Sequence, residues 1–146
     1  MSRTPILAPT VASVWDWPSA RVARLATVDA NGAPHIVPIV FAVVGEVVVT
    51  VVDGKPKSSA RLRRLANIAA NPAVSILVDH YDDEDWSQLW WVRVDGSAEV
   101  LSRGIDYDNG LAALWDKYRQ YRGEVTTDGP MIIVRNGRIS SWPGVG

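Results

Sequence analysis

Apolar runs broken by turn-forming residues divide the chain into short β segments, with two stretches of helical periodicity between them. Val22 to Asp29 reads as a strand, and Ala30-Asn31-Gly32 supplies a tight turn whose Asn-Gly pair tolerates positive φ. His35 to Val44 reads as a second strand, Gly45-Glu46 as a turn and Val47 to Val52 as a third strand. Near-continuous apolar character in these strands implies that both faces are covered, and three successive antiparallel strands predict a meander that opens a barrel or sandwich. Arg61 to Asn71 places Leu62, Leu65, Ala66 and Ala69 on one helical face and stops at Asn71-Pro72, because a residue before proline is pushed out of helical space. Ala73 to Asp79 is a fourth strand, Tyr81 to Ser87 an acidic loop, and Leu89 to Leu101 a long fifth strand bent at Gly96. Tyr107 to Tyr121 predicts a helix with Leu111, Leu114, Trp115 and Tyr118 as its apolar stripe and Gly123 beyond its end. Met131 to Ser141 gives a last strand, folded at Asn136-Gly137. Upstream, Ala12 to Ala20 suggests a short helix interrupted at Pro18. With no repeat, low-complexity tract or linker, the pattern describes a single domain over 1–146, with 1–11 as a flexible N-terminal arm.

Composition narrows the function classes. The 146 residues are 47% hydrophobic and 21% charged, which suits a folded chain, and a formal net charge of −1 argues against a dedicated nucleic-acid binder. The lack of cysteine excludes disulfides, thiol nucleophiles and thiolate metal sites, and fits a cytoplasmic protein. Residues 1–11 carry Pro5 and Pro9 and no continuous apolar run, so no signal peptide is expected, and no stretch approaches the roughly 20 apolar residues of a membrane span. Seven tryptophans accompany one phenylalanine; a flat ring with a polar N–H suits interfaces and pockets.

Candidate chemistry begins with Lys55, Lys57, Arg61, Arg63 and Arg64, gathered where a loop enters the first helix. Unpaired backbone N–H groups and the positive end of the helix dipole collect there, and Ser58 and Ser59 add hydroxyl donors. Cations at a helix start are unfavourable without an anion, so the cluster reads as a phosphate site rather than a solvated basic face. In Leu89-Trp90-Trp91-Val92-Arg93-Val94-Asp95 strand alternation sends Trp90, Val92 and Val94 to one face and Trp91, Arg93 and Asp95 to the other. If the first set fills the core, Trp91 faces outward and needs a cover: a helix, a partner subunit or a flat ligand. The run Asp79, Asp82, Asp83, Glu84 and Asp85 matches no calcium-loop spacing and reads as a solvated loop. His35 and His80 stand apart from other metal ligands, and no serine-hydrolase elbow, dinucleotide fingerprint or phosphate loop occurs. A chain without an evident nucleophile, acid or base suits chemistry carried by a cofactor.

The order of these pieces resembles a known family. Arg24-Leu25-Ala26-Thr27-Val28-Asp29-Ala30-Asn31-Gly32-Ala33-Pro34-His35-Ile36-Val37-Pro38 resembles the opening hairpin of the pyridoxamine 5'-phosphate oxidase-like, FMN-binding split barrels. Asn71-Pro72-Ala73-Val74-Ser75-Ile76-Leu77 and Val92-Arg93-Val94-Asp95-Gly96-Ser97-Ala98-Glu99-Val100 follow in the family's order. Lys55-Pro56-Lys57, His80 to Ser87 and Leu89 to Gly96 look most like the F420-dependent actinobacterial branch. The resemblance implies a mainly β fold with a few helices, a six- to seven-stranded antiparallel split β-barrel, and a homodimer with its cofactor between subunits. It implies Lys57, Arg61 and Arg64 as phosphate ligands with Lys55 and Ser58 nearby, and Val37, Pro38, Ile39, Thr50 and Val51 against the ring, with Trp91 and Arg93 also at the cofactor. Trp91 stands where flavin-dependent oxidases of this superfamily place glutamine, and Ile36-Val37-Pro38-Ile39-Val40 replaces their basic second-strand signature. These departures favour coenzyme F420 over FMN, which remains the alternative. The implied activity is hydride transfer from reduced F420 to an electron-poor small molecule, with a proton from solvent or from Tyr81 or His35 as candidate donors. A non-catalytic carrier of flavin, deazaflavin or haem is the reading from another class.

Overall fold

The computed structural model describes residues 2–5, 16–52, 59–122 and 129–143. Eight strands form one sheet: β1 (Ser2–Pro5), β2 (Ala23–Val28), β3 (Pro34–Ile39), β4 (Ala42–Val44), β5 (Val47–Val51), β6 (Ala73–His80), β7 (Trp90–Leu101) and β8 (Met131–Trp142). Two helices, α1 (Ser59–Ala70) and α2 (Ile105–Lys117), pack on it. The order is β3-β2-β6-β7-β8-β5-β4, all neighbours antiparallel, and β1 pairs with β8. A mainly β split barrel is the result.

The barrel interior is filled by alternate residues of these strands. Leu25, Ile76, Val92, Val94, Ile132 and Ile139 meet Phe41 and Trp17, with Ile68 and Leu65 of α1 closing one side. A second cluster lies beneath α2, where Tyr107, Leu114, Val49, Met131 and Ile133 are buried together. Helix α2 carries Asp106 and Asp108 in its first turn and Lys117 in its last, as the helix dipole favours. Gly110 lets it approach the sheet: a Cβ there would stand 2.7 Å from the Met131 sulfur.

Several expectations are corrected. The predicted second strand is two, β3 and β4, parted at Val40 and Phe41. The first three predicted strands therefore do not form a continuous meander, because β4 and β5 lie at the opposite edge of the sheet from β3. Phe41 is the physical reason: fully buried, it turns into the barrel and stacks on Trp17 at 6.2 Å, bending the chain there. The second helix begins and ends earlier than predicted, and its buried face is Tyr107, Gly110 and Leu114, whereas Trp115 is 42% exposed. Around Trp17 a single turn of 3-10 helix spans Trp17–Ser19, the rest of the predicted Ala12 helix lying outside the described residues. Ser2–Pro5 forms the strand β1 on β8, and 6–11 of the expected arm lie outside the described residues. The bend at Gly96 stands, since the β7–β8 register shifts between Asp95 and Ser97. Any side chain at Gly96 would meet the Arg135 carbonyl oxygen at 2.8 Å and Val134 at 2.7 Å. Opposite it, Asn136 takes φ 55° in a bulge, and β8 runs on through Asn136-Gly137 instead of folding back.

Candidate functional site

Strand register assembles a site on the outer face of β3, β2, β6 and β7. Arg24 pairs with Pro38 on one side and Leu77 on the other, and Leu77 pairs with Arg93. The next row toward the barrel end runs Ile36, Ala26, Ser75 and Asp95, and Asp79 pairs with Trp91 in the row on the other side. Residues of one row share a face, so two guanidiniums flank Leu77, with Trp91 as a flat wall. Arg24, Ala26, Ile36, Ser75, Leu77, Asp79, Trp91 and Arg93 line a groove of about 380 Å³ there, within the range of small-molecule sites.

The polar groups of this groove are unequally matched. Asp95 accepts a hydrogen bond from the Ser75 hydroxyl at 2.5 Å and pairs with Arg93 Nε at 3.1 Å, while the Arg93 guanidinium lies 5.8 Å from the Trp91 ring centre. Arg93 is thus oriented from two sides. Arg24 and Asp79 have no hydrogen-bonding or ionic partner among the described residues. Ser140, in register with Arg93, is fully buried and its hydroxyl lacks a partner among the described residues.

The expected site residues fall into separate groups. Trp91 and Arg93 face outward as strand alternation predicts, with Val92 and Val94 buried in the barrel. Pro38 shares their face at the far edge of the sheet, but Val37 and Ile39 turn inward onto the barrel core. Thr50 is buried facing the barrel beside Val48 and Val52, and Val51 is buried facing α2. Lys55, Lys57 and Ser58 lie outside the described residues, Arg61 stands in the first turn of α1, and Arg64 is half-buried one turn later. Within the chain, then, Trp91 and Arg93 are on the opposite face of the sheet from Val37, Ile39 and the α1 side of the barrel. Arg24, Ile36, Ser75 and Leu77 escaped the sequence reading: alternation gives their face within each strand, but the pairing across strands needs the fold.

Around α1 a buried Asn67 donates to the Thr27 hydroxyl at 3.0 Å, tying the helix to β2. His35 sits opposite Thr27, with its Nδ1 enclosed and without a hydrogen-bond partner among the described residues. The acidic run is a self-capped loop. Asp82 accepts from the Glu84 and Asp85 amides at 2.9 and 3.0 Å, and Asp85 accepts from the Ser87 hydroxyl and amide, which hold its carboxyl below the ordinary range. Tyr81 is 60% exposed, its hydroxyl donates to Asp83, and it is not one of the residues lining the groove.

Comparison with known proteins fits this architecture. Residues 12–136 match the pyridoxamine 5'-phosphate oxidase family, and the chain belongs to it. That family is one of oxidoreductase-like, flavin-binding split barrels. A 5a,11a-dehydrotetracycline/5a,11a-dehydrooxytetracycline reductase of Streptomyces rimosus is 35% identical over 81 residues, a match covering 56% of this chain and 56% of that one. A solved F420 reductase is similar with a TM-score of 0.58 at 26% identity, over 88% of this chain and 94% of the other. A haem-binding protein from Mycobacterium smegmatis shares the fold with a TM-score of 0.68 at 22% identity, over 88% of this chain and 51% of that one. No helix among the described residues is long and apolar enough to cross a membrane.

Proposed function

We propose that this protein is an F420-dependent reductase, acting as a homodimer on an electron-poor small molecule. The observation that carries the reading is Trp91, an outward indole walling the groove where related oxidases would present glutamine. Likeness to an F420 reductase and to a reductase of an unsaturated polycycle supports it.

The residues present suit such a cofactor. Helix α1 has no acidic residue in its first turn and follows a basic loop, so its start is an uncompensated positive end that a phosphate would neutralise. Lys57, Arg61 and Arg64 hold that phosphate, with Lys55 and Ser58 beside them. The strands carrying Val37, Pro38 and Ile39, and Thr50 and Val51, position the ring system. Trp91 and Arg93 reach it from the second copy, since in one protomer they occupy the other face of the sheet. Ile36 at 64% and Trp142 at 49% exposure flank Trp91's face and are covered when two copies meet. When bound, the deazaflavin supplies hydride; the chain binds it, orients it and excludes water.

Titration of the purified protein with F420 and with FMN, followed by fluorescence, tests the cofactor. Micromolar F420 binding with negligible FMN binding is expected. The reverse pattern would replace the reading with an FMN-dependent enzyme, and tight binding without turnover of enones, quinones or nitro compounds would make the protein a carrier.

A further inference from the structure

We infer that the groove on the outer sheet face receives the substrate as a planar organic anion, with Arg24 as the charge that selects it. The inference rests on the reading of the protein as a reductase and adds the substrate's charge and shape.

The argument starts from the row Arg24, Leu77, Arg93 on three adjacent strands. Neighbouring strands lie about 4.8 Å apart, so the two arginine Cα atoms stand about 10 Å from each other with the leucine between them. Each guanidinium arm can therefore reach a group resting on Leu77. The floor there is apolar, made by Leu77 and Ala26, and the sides are Trp91, the wall that also meets the cofactor ring, and Ile36, at the seam between the two copies, so the groove lies beside the ring at that seam. Such walls accept a flat ring by burying its faces.

Charge then separates the two arginines. Arg93 is neutralised by Asp95, which is itself anchored by Ser75, and it lies 5.8 Å from the Trp91 ring centre. It can donate to a ligand oxygen without bringing net charge. Arg24 has no ion-pair partner among the described residues, so a bound anion would be its first. The one carboxylate in the lining without a partner, Asp79, is in register with Trp91 and not with the row of the two arginines. An anionic group is thus favoured over Leu77 and disfavoured at the Trp91 end, which orients the ligand as well as selecting it. A charge-assisted bond of this kind corresponds to roughly tenfold or more in affinity.

The test is calorimetric binding of two probes to the full chain without cofactor: 2-hydroxy-1,4-naphthoquinone, ionised at neutral pH, and its neutral 2-methoxy analogue of nearly the same shape. The anion is expected to bind about tenfold more tightly. Arg24→Gln should bring the two affinities together, Arg24→Lys should keep part of the preference, and Asp79→Asn should not abolish it. Arg24 is exposed, so the melting temperature of each variant should match that of the parent and exclude misfolding. Equal affinities in the parent, no binding of either probe, or a preference that survives Arg24→Gln would each overturn the inference. Because no cofactor is present, its failure with F420 binding intact removes only the substrate class. Loss of F420 binding with the anion preference intact removes the cofactor reading instead.

Discussion

The side of the barrel closed by α2 and the open face of β3, β2, β6 and β7 use similar residues to opposite ends. On the closed side Lys117 Nζ donates to the carbonyls of Pro18 and Phe41 at 2.7 and 2.9 Å and sits 3.8 Å from the Phe41 ring centre. The Tyr118 hydroxyl bonds the carbonyls of Arg21 and Phe41 at 3.0 and 3.1 Å, and Arg21 donates back to the Lys117 carbonyl at 2.8 Å. Cations and aromatics there join three distant segments of chain, and among the described residues only the Trp17 indole N–H of this group is enclosed without a partner. On the open face an arginine and an aspartate are unmatched among the described residues, and the apolar side chains bound a groove. Unmatched polar groups beside a cavity are what a binding site requires, whereas a saturated network is structural.

The largest contrast should appear on truncating one leucine in each region. Leu114 is fully buried beneath α2, so Leu114→Ala is expected to cost about 2–5 kcal/mol in urea unfolding. Leu77 is half-buried in the groove, so Leu77→Ala should cost about 1 kcal/mol while weakening naphthoquinone binding. Equal losses of stability would mean that the open face is as structural as the closed one.

A charge on the open face tests whether two copies meet there. Ile36→Asp places a carboxylate at a 64% exposed position and repeats it across a two-fold axis. Light scattering at tens of micromolar should show a dimer for the parent, and the variant should shift toward monomer by roughly tenfold in dissociation constant. The same charge at Ile105, 71% exposed on α2, should leave the dimer intact. A parent that is monomeric, or a dimer indifferent to Ile36→Asp, would remove the face from the interface.

The two regions were not equally legible in the sequence. Local signals were enough for the β2–β3 hairpin, the stop at Asn71-Pro72, the bend at Gly96 and the outward direction of Trp91, because each depends on near neighbours. The break at Val40 and Phe41 was not, since an apolar run continues through it and only burial against Trp17 decides the turn. Arg24 was illegible as a site residue for a related reason. It lies 53 positions before Leu77 and 69 before Arg93, and only sheet register brings the three into one row. The Lys117 network was equally hidden, as its acceptors are backbone carbonyls that leave no mark in a side-chain pattern.

The smallest expected effect concerns Lys117 and its protonation. Burial, then the nearby Arg21 guanidinium, push its ammonium down to about 8, against a weaker opposing pull from Asp16. The unfolded chain, with an ordinary lysine, holds its proton to higher pH than the folded one. Between pH 8 and the ordinary lysine range, near 10.5, the unfolded state therefore binds more protons, and this residue makes stability rise with pH. Tyr118 acts in the other direction at the top of the range: burial raises its hydroxyl above 10, so stability falls as the unfolded tyrosine ionises first. Urea midpoints from pH 7.5 to 10, taken as the difference between the parent and Lys117→Met, separate Lys117 from other titrating groups. The parent should gain on the variant as pH rises, by less than a fully buried lysine would show, because Lys117 is only half-buried. A difference that is flat or falls with pH would mean that the two carbonyls and the Phe41 ring hold the charged form as well as water does.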